Sequence, residues 1–275
     1  MSTPTIAIIG AGNMGKSLIG GLIKDGHPCE KLWATDPDKE KLTELAQTFH
    51  IQTTADNIAA AEAANVIIFA VKPQLFAHVA KELNPIIKIR KPLILSIAAG
   101  VRETNIQHAL GGNIAIVRAM PNTPALLGCG ATALYANSYV TEAERNLAES
   151  ILRAVGIIVW LSDEALMDTV TALSGSGPAY FFLMMESLQE AAEQLGLPKE
   201  TARLLTLQTA LGAARMAIES GLPLDQLRHN VTSPGGTTEK AVSMLEENNI
   251  RRIFKYALQA AKMRSEELAT LLGKD

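Results

Sequence analysis

The stretch from Thr5 to Gly15, TIAIIGAGNMG, most constrains what this chain can fold into. Thr5-Ile6-Ala7-Ile8-Ile9 is a short, nearly continuous apolar run, the pattern of a parallel strand covered on both faces. Gly10-x-Gly12-x-x-Gly15 follows at once, and Lys16 to Ile23 continues with helical spacing. Gly10 suits a tight turn, Gly12 lets backbone approach a pyrophosphate, and Gly15 permits close helix–strand packing. Ala11, Asn13 and Met14 complete the loop. Its N–H groups open the helix and face an anion with the helix dipole behind them. A strand, a glycine loop and a helix in this order point to a dinucleotide; the bland alternative is a glycine-rich turn with no ligand.

A length of 275 residues suits two ordinary domains. A formal charge of −3, no run of Lys or Arg, and only 4% aromatic residues argue against a nucleic-acid partner. Cys29 and Cys129 form no CxxC or disulfide framework, and the five histidines are scattered, so no metal site is expected. Only Met1 to Pro4 precede the first strand, which leaves no room for a secretory signal. The longest apolar runs are of strand length, far short of a membrane span. We expect a soluble, cytoplasmic protein.

Strand and helix then alternate. Lys31–Asp36 reads as a second strand ending in a carboxylate, some twenty residues past the last glycine, where an acidic side chain bonds the adenosine ribose. Asp36 would repel a 2′-phosphate and so leans towards NADH, although Lys39 nearby could neutralise one. Asp36-Pro37 can equally cap the helix expected over 38–49. Further strands are expected at 66–71, 93–97, 114–119, 130–135 and 157–161. Lys72 stands at the carboxyl end of its strand, either contacting a cofactor through backbone or as a solvated lysine, and Pro73 can open the next helix. Ala98-Ala99-Gly100 places small residues where something must come close. Thr141-Glu142-Ala143-Glu144 is a capping box opening a helix to about Val155. The alternation predicts an α/β domain over 1–162 with a doubly wound parallel sheet.

After Ser162 the strand pattern stops, which predicts an all-α domain over 163–275. Glu164–Leu173 reads as helix, Ser174–Pro178 as a break, and a second helix runs from Ala179 to about Leu195 with Gly196 at its C-cap. The segment 199–220 is apolar on almost every side and must be buried, either as a central core helix or by a second subunit. Ser233-Pro234-Gly235-Gly236-Thr237-Thr238 then leads into another helix. Its consecutive N–H groups could form a nest for a small carboxylate or phosphate. Alternatively Thr237 or Thr238 simply caps the helix.

Taken together, Gly10-Ala11-Gly12-Asn13-Met14-Gly15, Ala70-Val71-Lys72-Pro73, Ile97-Ala98-Ala99-Gly100, Arg118 to Pro124, Leu173 to Tyr180 and Ser233 to Thr238 occur in this order. In these motifs, spread from end to end, the chain resembles the pyrroline-5-carboxylate reductases. The resemblance implies a Rossmann domain followed by a helical dimerisation domain, with homodimers that the family often assembles into decamers as pentamers of dimers. It implies reduction of the cyclic imine 1-pyrroline-5-carboxylate to L-proline by hydride from NADPH or NADH. Carried onto this sequence, the substrate carboxylate would rest on Gly235, Gly236 and Thr237 with Ser233 beside them. Thr238 would bond the ring nitrogen as the catalytic hydroxyl, and Glu164 would line the pocket. The cofactor would be held by Gly10 to Gly15, Asp36, Asn57, Val71, Lys72, Ala98, Ala99 and Asn230. Many NADPH-preferring relatives carry Ser, Thr or Asn where Asp36 stands, so both cofactors remain open.

Two rivals remain. A 3-hydroxyacid dehydrogenase of the phosphogluconate type would place a catalytic lysine on a helix past the glycine-rich break, but 179–195 holds no lysine. A non-catalytic dinucleotide sensor would bind cofactor without turning over an imine, and no sequence feature favours it.

Overall fold

A computed structural model describes residues 3–273; Met1, Ser2, Lys274 and Asp275, the outermost residues of the two expected domains, lie outside the described residues. The chain forms two compact units, one taking the chain up to Ser176 and again from Ala260, the other spanning Gly177–Gln259.

The first unit opens with β1 (Ile6–Ile9), α1 (Asn13–Lys24), β2 (Leu32–Thr35), α2 (Lys39–Phe49), β3 (Gln52–Thr54), α3 (Asn57–Ala63) and β4 (Val66–Phe69). It continues through α4 (Pro73–Arg90), β5 (Leu93–Ser96), α5 (Glu103–Leu110), β6 (Ile116–Met120), β7 (Gly130–Ala136), α6 (Glu142–Arg153) and β8 (Gly156–Trp160). The eight strands form one sheet in the order β3-β2-β1-β4-β5-β6-β7-β8. Strand order reverses beside β1, so the carboxyl ends of β1 and β4 flank the crevice where doubly wound sheets take their ligands.

Period-two alternation divides the core. Ile6 and Ile8 face one side with Leu18 and Leu22 of α1, Leu45 of α2 and Ile151 of α6. Ala7 and Ile9 face the other, with Ala60 of α3, Phe76 and Leu83 of α4 and Ile106 of α5. Each fully buried Ile, Leu or Phe side chain among these contributes about 1.5–3 kcal/mol. Local signals act as expected at several ends: Pro73 is the first residue of α4, and Thr141 with Glu144 closes a capping box on α6.

Several expectations are corrected. The short strand β3 has no apolar residue, and helix α3 is only seven residues long with one apolar side chain larger than Ala, so neither stands out in sequence. All neighbouring strands pair in parallel except β6 and β7, which are antiparallel. Only 121–129 join those two, partly as a 3₁₀ turn over Thr123–Leu127, and a parallel crossover needs a dozen residues or more. Asp38, not Asp36, caps α2: its carboxylate accepts the N–H groups of Glu40 and Lys41.

The glycine-rich break also behaves differently. After α7 (Leu166–Val170), residues Thr171–Gly175 form a π turn in which the Ser176 N–H reaches the Thr171 carbonyl at 2.8 Å. The side chain of Asn122 ties this turn down, donating to the Ser174 carbonyl at 3.0 Å and accepting the Ala131 N–H at 2.9 Å. A Cβ on Gly175 would lie 2.5 Å from the Met120 side chain, so glycine permits the approach. Packing therefore keeps 163–176 with the sheet, and the two compact units part at Ser176/Gly177. Within the first unit the end of the last helix packs on this segment, Ser265 donating to Asp168 at 2.6 Å.

The second unit is helical: α8 (Gly177–Gln194), α9 (Lys199–Glu219), α10 (Leu224–Asn230), α11 (Thr237–Glu247) and the start of α12 (Ile250–Leu272). Gly196, at φ 100°, turns the chain out of α8. The apolar surface of α9 is exposed in the single chain, with Leu204 at 62% and Ile218 at 81%. It is not a central core helix within one subunit.

Candidate active site

The glycine loop is shaped by steric necessity at two positions and left open at a third. Gly10 has φ 108°, and a Cβ there would meet the Ala70 carbonyl oxygen at 2.7 Å. A Cβ on Gly15 would lie 2.4 Å from the Gly10 carbonyl oxygen. Gly12 has nothing within 4 Å of its would-be Cβ; it is exposed and caps α1 with no side chain over the helix end. Asn13 is exposed beside it and Met14 half-buried, whereas Ala11 is buried. An open helix N-terminus at the switch point of the sheet is a ready anion site.

Asp36 closes the loop from the end of β2. Its Oδ2 accepts the Ala11 N–H at 3.0 Å and its Oδ1 the Asp38 N–H at 3.0 Å. Lys41 lies 3.7 Å from Asp36 Oδ1 and 3.7 Å from Asp38 Oδ2. Lys39, the lysine expected near Asp36, lines a groove with Thr43, Ala46 and Thr53 instead. Asn57, first residue of α3, accepts from the Thr35 hydroxyl at 2.6 Å and donates to Glu82 at 3.1 Å. Val71 and Lys72 leave β4, Lys72 being exposed at the start of α4. Ala98 is buried and Ala99 exposed just past β5.

A second polar cluster of the first unit surrounds Glu164. Arg118 is a cation in the middle of the apolar strand β6, only 8% exposed. Its Nη1 donates to Glu164 Oε1 at 2.6 Å, and the same oxygen accepts the Glu103 N–H at 2.6 Å. Glu103 in turn accepts from Asn137 at 2.8 Å. Arg118, Arg102, Asp163, Glu164 and Asp168 line a cavity of about 210 Å³ with Gly100. Burial, then the charges of Glu164, Glu103 and Asp163, push the nearby Tyr135 phenol above its usual range, so it stays protonated at neutral pH. Sequence reasoning missed Arg118 as a partner of Glu164. The available signal was an arginine inside a buried strand, which demands a carboxylate.

In the second unit, Gly236 is the N-cap of α11, so neither Thr237 nor Thr238 caps it. Gly235 takes φ 72°, and the Gly236 N–H turns back to the Ser233 carbonyl at 3.0 Å. The Gly235 N–H is held by the carboxylate of Glu239 at 2.7 Å. One donor of the expected nest thus already carries a carboxylate, supplied from within the chain. Ser233 and Thr237 are exposed and Thr238 half-buried. Asn230 ends α10 and is exposed, its Oδ1 accepting from Gln226 at 2.8 Å. Among the described residues no group of three or more His, Cys, Asp or Glu could hold a metal ion, and no helix is long and apolar enough to cross a membrane.

A doubly wound sheet with an open glycine loop at its switch point, followed by a helical domain, defines the class: a Rossmann-type dinucleotide-binding protein. Comparison with known proteins gives the family. Residues 164–268 match the family model described as pyrroline-5-carboxylate reductase dimerisation, and 5–100 match one described as NADP oxidoreductase, coenzyme F420-dependent. The pyrroline-5-carboxylate reductase of Pseudomonas aeruginosa is 50% identical over 274 residues, covering 100% of both chains. The solved pyrroline-5-carboxylate reductase of Coxiella burnetii is 49% identical with a TM-score of 0.93, over 97% of this chain and 99% of that one. The Plasmodium falciparum enzyme, solved with NADP bound, is 31% identical with a TM-score of 0.87, over 98% and 99%. The chain belongs to the pyrroline-5-carboxylate reductase family.

Proposed function

We propose that this protein reduces the C=N bond of 1-pyrroline-5-carboxylate to give L-proline, the last step of proline biosynthesis, using NADPH or NADH. The observation that carries this is half-identity to a pyrroline-5-carboxylate reductase along the whole of both chains. The open Gly12 loop beside Asp36 suits the dinucleotide. In this reading Gly10, Ala11, Gly12, Asn13, Met14, Gly15, Asp36, Asn57, Val71, Lys72, Ala98, Ala99 and Asn230 hold the cofactor. Bound there, the reduced nicotinamide supplies a hydride to the imine carbon.

Residues 163–275 serve substrate binding and dimerisation. The N–H groups of Gly235, Gly236 and Thr237, with Ser233, take the substrate carboxylate, and Glu164 lines the pocket. Reduction moves the C=N electron pair onto nitrogen, which must be protonated or enter as the iminium. The Thr238 hydroxyl hydrogen-bonds that nitrogen and relays a proton from water. A threonine hydroxyl is a weak acid, so most of the acceleration comes from holding the imine close and oriented. The exposed apolar surface of α9 supports burial against a second copy, and the family's decamer would be five such dimers. The unpaired Cys29 and Cys129 support a reducing cytoplasm.

The test is imine-dependent oxidation of NADPH and NADH, followed by the near-ultraviolet absorbance of the reduced nicotinamide. Thr238→Ala is expected to lower turnover by up to about 10²–10⁴-fold, the range of acid–base groups. Full turnover in that variant removes Thr238 from the chemistry. A folded protein that binds cofactor and oxidises neither one with the imine overturns the reading in favour of a sensor.

A further inference from the structure

The carboxylate of Asp36 has no freedom to turn away from a bound adenosine ribose. One oxygen is held by the Ala11 N–H and the other by the Asp38 N–H, both at 3.0 Å, and the side chain is only 11% exposed. Asp38 adds a second carboxylate, itself fixed because it caps α2. A ribose hydroxyl can donate to this edge, but a 2′-phosphate would meet two negative charges. The one cation among the described residues paired with both is Lys41, in the first turn of α2, 3.7 Å from each carboxylate. Its side chain is half exposed, so the ammonium can swing towards a ligand. Lys16, on the facing helix α1, is already paired with Glu44.

We propose that Lys41 is the specificity-determining residue at the adenosine end of the site. Its ammonium offsets Asp36 and Asp38 and accepts the 2′-phosphate, so that the site takes NADPH as well as NADH despite the acidic end of β2. The inference rests on the dinucleotide part of the proposed function and not on the identity of the imine. Without Lys41, both carboxylates stand uncompensated before a phosphate, whereas a ribose hydroxyl still finds its acceptor. Arginine can replace the lysine, since a guanidinium binds phosphate at least as well.

Two measurements on the full-length protein test this. The first is binding of 2′-phospho-ADP-ribose against ADP-ribose by calorimetry, which needs no turnover. The second is the ratio of KM for NADPH to KM for NADH. Lys41→Met is expected to raise both the Kd ratio and the KM ratio by about tenfold or more, and Lys41→Arg to restore them. Lys39→Met serves as the control for simple loss of a nearby charge and is expected to shift neither ratio by more than about twofold. Equal weakening of both ligands in Lys41→Met, or equal effects of Lys39→Met and Lys41→Met, overturns the proposal. If the imine is not reduced but the binding ratio shifts as stated, the reductase reading fails and the role of Lys41 stands.

Discussion

Arg118 and Glu164, 46 positions apart in sequence, meet at 2.6 Å, and the oxygen they share also anchors the backbone N–H of Glu103. One carboxylate therefore joins β6, the start of α5 and the segment leading into α7. Removing one member of such a pair strands the other as a poorly solvated charge. Arg118→Met is expected to cost about 2–4 kcal/mol, since Glu164 keeps some contact with water and falls short of the fully buried case. Urea denaturation measures this. The double variant Arg118→Met with Glu164→Leu should recover much of the loss; a strictly additive result would show that the pair is not coupled.

Two glycines of the loop should separate cleanly. Gly15→Ala forces a methyl against the Gly10 carbonyl and is expected to destabilise by about 3 kcal/mol or more, at the top of the range for overpacking. Gly12→Ala meets nothing within 4 Å among the described residues, so its melting temperature should stay near that of the parent while cofactor KM rises. A marked stability loss in Gly12→Ala would mean that Gly12 serves the fold and not the ligand.

Glu239 competes for a donor that the substrate carboxylate is proposed to use, since it occupies the Gly235 N–H at 2.7 Å. A hydrogen bond of this kind is worth about 1 kcal/mol net. Glu239→Ala is accordingly expected to lower KM for the imine by about two- to fivefold. Steady-state kinetics at saturating cofactor checks this. A raised KM would give Glu239 the opposite role, that of shaping the nest.

His27 gives a pH dependence of known sign. Burial lowers its pKa from the ordinary 6.5, and its Nε2 is enclosed without a hydrogen-bond partner among the described residues. The unfolded chain therefore binds the proton more readily than the folded one. Stability contributed by the neutral ring is complete above about pH 6.5 and is lost as pH falls through the depressed folded value. Melting temperature should drop more steeply below pH 6.5 in the parent than in His27→Gln. Identical slopes would show that protonation of this ring is accommodated without cost.

Much of the fold was legible because its signals are local. An apolar run of strand length, a glycine loop, a proline opening α4 and a capping box on α6 each act within a few residues, through backbone sterics and nearby hydrogen bonds. The position of the glycine loop followed from the same signals. The sites of the helical half rested on motif resemblance, because small polar residues and glycines serve ligands and turns alike. Tertiary structure decided what depends on pairings between distant residues. It turned β7 antiparallel because the connection before it is short, and it carried 163–176 onto the sheet through Asn122 and Gly175. It moved the cap of α2 from Asp36 to Asp38 and so freed Asp36 to lock the glycine loop beside Lys41. It gave the buried Arg118 its carboxylate and left the apolar surface of α9 exposed on the single chain. Hydrophobic periodicity is a property of one segment read alone; partners, register and exposure arise only when segments meet.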